Sequence, residues 1–179
     1  QMFRFNMDSP LMQDVNLRNA ISYCIDREGY SDTIAHGTVE PSYGVFPASL
    51  SFGGTEGLNL TVDRFDVDAA KKLLEDAGYQ DTDGDGVIEK GGQPVEIKMI
   101  AMSSQTGQVQ LCEVLQDQLS QIGIKVNLEV LENISDARSS GQFDISCESY
   151  SMAGTGTAQS FISQMFTTDG SSNFGHYSN

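Results

Sequence analysis

The sequence predicts an α/β fold, a sheet covered by helices. Three observations carry that reading. Val95, Ile97, Met99 and Ala101 alternate with polar residues, and Ile124, Val126, Leu128 and Val130 do the same, so both stretches have strand periodicity. Between them Leu111, Cys112, Leu115, Leu119 and Ile122 recur at helical spacing and end at Gly123. A strand, helix, strand succession of this length implies crossover connections between parallel strands.

The other elements follow in order. Leu17, Ala20, Ile21, Cys24 and Ile25 form the apolar stripe of a first helix. From about Gly37 to Asn59, Pro41, Pro47 and five glycines predict a long loop without periodicity. Asp66 stands as an N-cap before Val67, Ala70, Leu73, Leu74 and Ala77, and Gly78 closes that helix. Val87 to Glu89, a "KGGQ" turn and Val95 onward predict a hairpin. A short helix near Ile134 to Ser140, a strand from Phe143 to Cys147 and a helix around Phe161, Ile162, Met165 and Phe166 complete the pattern. In such sheets ligands gather beyond the carboxyl ends of the strands, which singles out Met102 to Gly107 and Ser149 to Gln159.

Composition narrows the function. A chain of 179 residues suits a single domain, and 39% hydrophobic residues suffice for a core. The net charge of -15, with only 10 Lys and Arg, excludes a basic surface for nucleic acid. No apolar run reaches the length of a membrane span and no signal-peptide pattern opens the chain, which begins at Gln1 and reads as a piece of something longer. Cys24, Cys112 and Cys147 are widely spaced within apolar patterns, so buried free thiols are expected, not disulfides or zinc.

Two motifs invite chemistry. In "DTDGDGVIE", Asp81, Asp83, Asp85 and Gly86 match a calcium loop, but the twelfth position, which should bring a bidentate Glu, is Gly92. A decorated turn opening the hairpin is the reading preferred, with a weak calcium site as its alternative. "GTGTAQ" precedes a helix as a dinucleotide fingerprint would, yet Gln159 replaces the third glycine and no acidic residue follows some twenty positions on. Exposed N–H groups there suit an anion more than a nucleotide. His36 and His176 lack spaced partners, and no nucleophile elbow or Walker loop occurs.

Taken together, "NLRNAISYCIDREGYSDTIAHGTVEP", "DVDAAKKLLEDAGYQDTDGDGVIEKGGQPVEI" and "LSQIGIKVNLE" resemble the peptide, nickel and opine family of extracytoplasmic solute-binding proteins, family 5, that serve ABC transporters. The resemblance covers nearly the whole chain. It implies that residues 1–179 are a single ligand-binding lobe, the second of a two-lobed periplasmic-binding-protein-like fold with a mixed sheet, the first lobe lying elsewhere in a longer protein. It further implies a periplasmic or lipid-anchored cell-surface location, a membrane permease as partner, a nickel complex or peptide as solute, no resident cofactor and no catalysis.

Within the family "GTVEPSYGVFPASLSF" followed by "GLNL" looks most like the nickel-type branch. There the loop before the last helix carries an aromatic and histidine pattern. Here Met152 takes the Trp place, Gly156 the Tyr place and Gln159 the histidine place, so the metal-contacting group is missing. The Asp by which peptide binders hold an amine is missing too. The expected cleft residues are Tyr150, Ser151, Met152, Thr155 and Gln159, with Ser103 and Ser104 beside them. The alternatives are a nucleotide-binding enzyme domain using "GTGTAQ" and a calcium-stabilised structural module.

Overall fold

A computed structural model describes residues 1–56, 64–151 and 157–178. Met152 and Thr155, both expected in the cleft, lie outside the described residues, as does most of the glycine-threonine loop. The elements are β1 (Met2–Phe5), α1 (Val15–Tyr23), a helical turn α2 (Arg27–Gly29) that runs into a π-helical turn (Tyr30–Ile34), and α3 (Val67–Asp76). Then come β2 (Glu89–Lys90), β3 (Gln93–Pro94), β4 (Glu96–Met102), α4 (Thr106–Ser120), β5 (Lys125–Leu131), α5 (Ser135–Ser139), β6 (Ile145–Glu148) and α6 (Ala158–Met165).

The main sheet has the order β1-β6-β4-β5. Strands β4, β5 and β6 are parallel, and β1 joins β6 antiparallel with Met2 opposite Glu148. The sheet is therefore mixed and helix-covered, as expected. Strand β1 escaped the sequence reading.

Alternation along the strands gives each face its own cover. Ile97, Met99, Ala101, Val126, Ile145 and Cys147 point to one side, where α4 lies on the sheet and α1 and α3 add Leu17, Ala20, Ile21, Cys24, Ala70 and Leu74 to one buried cluster. On the other side Ile100 meets Ile134 and Phe143 in a smaller cluster, with Met102, Leu131 and Ala137 packed against it. All three cysteines are free and buried.

Local chemistry explains the boundaries. Asp66 caps α3 by accepting from the Ala69 N–H at 2.8 Å, and Asp14 caps α1 through Asn16 at 2.9 Å. The hairpin turns at "KGGQ" as expected, Lys90 pairing with Gln93. Gly91 and Gly92, at φ 61° and 76°, make a two-residue turn between β2 and β3, because both central positions of such a turn need positive φ. Val95 then extends the ladder by donating to the Ile88 carbonyl at 2.9 Å.

Candidate functional site

Because β4 and β6 are parallel neighbours, with Met99 beside Ile145, their carboxyl ends Met102 and Glu148 leave the sheet at one edge. Ser103 and Ser104 follow the first and Ser149 to Ser151 the second. Both serines of the first loop are exposed, and Ser103 extends the β4-β5 pairing by donating to the Leu131 carbonyl at 2.8 Å. The antiparallel β1 brings Gln1 to this edge as well: its Nε2 lies 3.2 Å from where a side chain on Gly107 would begin. Tyr30 reaches the same loop and donates to the Gly107 carbonyl at 3.0 Å. Neither Gln1 nor Tyr30 carries a local signal that would have placed it here.

Tyr150 is the anchor of the edge. Its hydroxyl donates to Gln164 Oε1 at 2.9 Å, and its ring meets Phe161 edge-to-face with centroids 5.0 Å apart. Phe161, 1% exposed, also meets Phe46 at 5.5 Å, and Phe46 meets Phe52 at 5.3 Å. The long loop thus delivers Phe46 to the Phe161 ring that Tyr150 also meets, with Phe52 packed against Phe46. The sequence predicts that loop as long and without periodicity but does not single out Phe46 or Phe52, although "FPASLSF" is the available signal. Ser151 is exposed, and Gln159 is exposed on the first turn of α6, whose N-cap Thr157 accepts from the Ser160 N–H at 3.4 Å.

Beneath the edge several polar groups pair with one another, although Ser146 Oγ is buried without a hydrogen-bond partner among the described residues. Gln108 is buried. Turned so that both ends of its amide are satisfied, it donates to the Cys147 carbonyl at 3.2 Å and accepts from Ser149 Oγ at 3.0 Å. Glu148 pairs with Arg4 at 2.8 Å and with Arg138 at 3.2 Å. Arg4 also donates to the Ser172 carbonyl at 2.6 Å, and both guanidinium groups lie against the Phe174 ring. Burial pulls the Arg138 pKa below its ordinary value, against the opposing attraction of Glu148.

The acidic turn lies elsewhere, between α3 and β2. Asp81 accepts from the N–H groups of Gly84 at 2.7 Å and Gly86 at 3.0 Å; Asp83 accepts from Asp85 N–H, and Asp85 from Val87 N–H. Glu89 turns inward to accept from both the N–H and the hydroxyl of Thr82. One oxygen from each of Asp81, Asp83, Asp85 and Glu89 lies within 4.8 Å of the others, so the loop gathers four carboxylates while using each to hold its own backbone. His176 pairs with Asp8 beyond the opposite end of β1, and His36 is exposed on its loop.

Two open pockets among the described residues lie away from the Tyr150 edge. One, of about 310 Å³, opens where β6 begins, beside Asn6, Ser9, Lys98 and Asp144. The other, of about 500 Å³, runs along α4 beside Ile34, Phe65, Val114 and Gln118. Neither contains a residue that the sequence reading expected in the cleft.

Comparison with known proteins gives the family and the fold. Residues 1–173 match the family described as bacterial extracellular solute-binding proteins, family 5 Middle. The oligopeptide-binding protein AppA of Bacillus subtilis is 27% identical over 128 residues, 72% of this chain and 23% of that protein. The nickel-binding periplasmic protein of Escherichia coli is 27% identical over 127 residues, 71% of this chain and 24% of its own length. The chain therefore spans about a quarter of the curated relatives it matches. Among solved structures, a mannohexaose-bound periplasmic oligopeptide-binding protein of Thermotoga maritima superposes with a TM-score of 0.87 at 21% identity, over 99% of this chain and 35% of that one. Among these relatives, all solute-binding proteins, nothing supports the nucleotide reading of "GTGTAQ".

Proposed function

Since the chain belongs to the bacterial extracellular solute-binding proteins of family 5, we propose that it forms one ligand-binding lobe of the solute receptor of an ABC importer. The observation that carries this reading is the convergence of Ser103 and Ser104 with Tyr150 and Ser151 at the carboxyl edge of parallel strands, where α/β sheets take their ligands. The partner lobe belongs to the same longer protein. Solute is held between the lobes, contacts to both faces stabilise the closed form, and the closed receptor is recognised by the membrane permease. A nickel complex and an oligopeptide are the solutes its named relatives suggest. The receptor works outside the cytoplasm, in a periplasm or anchored by lipid at the cell surface. It performs no covalent chemistry and is not an enzyme. Among the described residues Tyr150, Ser151 and Gln159 line the proposed cleft from this side, with Ser103 and Ser104 at its margin.

The test is native mass spectrometry of the longer protein, purified without refolding. A co-purified solute released on unfolding supports the receptor reading, and its mass and metal content identify the branch. Binding of NAD or ATP, with no solute retained, would instead place the chain with nucleotide enzymes.

A further inference from the structure

We propose that the α5 side of the sheet holds a small monovalent anion, a halide such as chloride, bound by Arg4, Arg138 and Ser146. Sheet geometry brings these groups together. Arg4 of β1 stands opposite Ser146 of β6, so their side chains share one face, and Glu148, two residues further along β6, shares it too. Arg138 reaches the same carboxylate from α5, whose Ala137 packs against the Ile100 cluster on that face. Both guanidinium groups lie on the Phe174 ring, Arg4 at 5.9 Å and Arg138 at 5.3 Å from its centroid.

The charges there do not balance. Two guanidinium groups, on side chains 11% and 19% exposed, face one carboxylate that is 6% exposed. Among the described residues no other carboxylate comes within ion-pair distance of either arginine. The other hydrogen-bond partners of Arg4, the Ser172 carbonyl and Met165 Sδ, are neutral. A charge withdrawn from water without a partner is costly, so the excess positive charge favours a counter-ion.

Hydrogen bonding points the same way. Arg4 Nε, Arg138 Nε and Ser146 Oγ are buried and form no hydrogen bond among the described residues, although such groups are nearly always satisfied. One acceptor is left over with them, Glu148 Oε1, which lies 3.2 Å from Arg138 Nε without hydrogen-bond alignment. Three spare donors and a surplus of one positive charge match a monovalent ion that only accepts. A water molecule would satisfy the donors and leave the charge. Glu148 is followed directly by Ser149, so an ion here braces the strand end that carries the proposed cleft edge.

The experiment uses the longer protein and bromide, which replaces chloride and scatters anomalously. Crystals soaked in sodium bromide should show an anomalous peak within hydrogen-bond distance of Ser146 Oγ and the two guanidinium groups. Melting is then followed as bromide or chloride replaces gluconate at constant ionic strength, which removes general screening from the comparison. The melting temperature should rise progressively, with the logarithm of halide concentration above its Kd. Ser146→Ala, which removes one donor, should shrink that rise, and Arg138→Met should abolish it. Glu148→Gln, which adds to the positive excess, should enlarge it. Where an arginine variant fails to fold, the bromide peak in the parent and the Ser146→Ala comparison decide. Water at the site with no anomalous peak overturns the proposal. So does a peak without any halide effect on melting, which marks an adventitious ion only, and so does a halide effect that every variant shares with the parent.

Discussion

Tyr79 donates its phenolic hydrogen to Asp14 Oδ2 at 2.8 Å, tying the chain just after α3 to the first residue of the α1 cap. Asp14 does more than accept that bond. It caps α1 through the Asn16 N–H and forms an ion pair with Lys90 of β2, whose ammonium also lies 4.5 Å from the Tyr79 ring. One carboxylate thus joins α1, the end of α3 and the hairpin on the helical side of the sheet.

Asp14 therefore makes stability depend on acid. Burial works to raise its pKa, but Lys90, Tyr79 and the Asn16 N–H outweigh it and hold the carboxyl at about 2, below its ordinary 3.8. A carboxyl lowered in the folded state adds stability that is full above its unfolded pKa and is lost as pH falls through the folded one. Asp14→Asn, whose amide oxygen can still cap α1, should lower stability by about 1 kcal/mol at neutral pH, through the lost ion pair with Lys90. The gap between parent and variant should close between about pH 4 and 2. Urea melts across that window check both statements.

Glu148 is 5% exposed and faces two arginines, so its removal should be costly. Glu148→Gln leaves two partly buried guanidinium groups without a counter-charge, and since loss of one partner costs about 3–5 kcal/mol only in a fully buried pair, the loss here should be about 2–3 kcal/mol. Arg4→Met combined with Glu148→Gln should recover part of that loss, because fewer uncompensated charges then remain. Denaturant titration of the single and double variants provides the comparison.

Gly123 joins α4 to β5 at φ 77°, and a Cβ there would stand 2.8 Å from Ile88 Cγ2. Its carbonyl also accepts from the Ile88 N–H at 2.8 Å, so the two strands of chain cannot simply part. Gly123→Ala should cost about 2–3 kcal/mol, strain and clash together. Gly86→Ala, at φ 91° with nothing within 4 Å, should cost only about 1 kcal/mol, from strain alone.

The three cysteines should be unreactive in the folded chain. Burial pushes the Cys24 thiol up to about 12, and a hydrogen bond with Cys147, reinforced by burial, raises Cys112 further. A thiol-specific reagent attacks thiolate, so at mildly alkaline pH the native protein should show no fast reaction. All three thiols should titrate on unfolding in guanidinium.

What the sequence revealed and what it hid follow one rule, the distance along the chain over which the deciding contact acts. The caps Asp14 and Asp66, the stripe of α4 and the alternation of β4 and β5 are local. Of these, Asp66, α4, β4 and β5 were legible, and they sufficed to point at the carboxyl edge. β1 is only four residues long and owes its existence to pairing with β6, Arg4 lying beside Ser146, so no window along the chain could reveal it. Phe46 and Phe52 likewise acquire meaning only through Phe161. The pairing of Tyr150 with Gln164 was hidden for the same reason, although Tyr150 itself was expected at the edge.

The acidic turn offers the last prediction, because its two readings differ in what calcium should do. Asp81 holds two backbone N–H groups, those of Gly84 and Gly86, at its two carboxylate oxygens. Asp81→Ala leaves both without that partner in an exposed turn, and should cost about 1–2 kcal/mol. Asp83 holds only the Asp85 N–H, at 3.1 Å, and its alanine variant should cost less. If the carboxylates serve the backbone, a chelator leaves the melting temperature of parent and variant unchanged. If they serve a cation, calcium raises the parent's melting temperature progressively, with the logarithm of its concentration above the Kd, and Asp81→Ala abolishes that rise. With Gly92 where a calcium loop brings its bidentate Glu, the first outcome is expected, and melting with chelator and with added calcium distinguishes them.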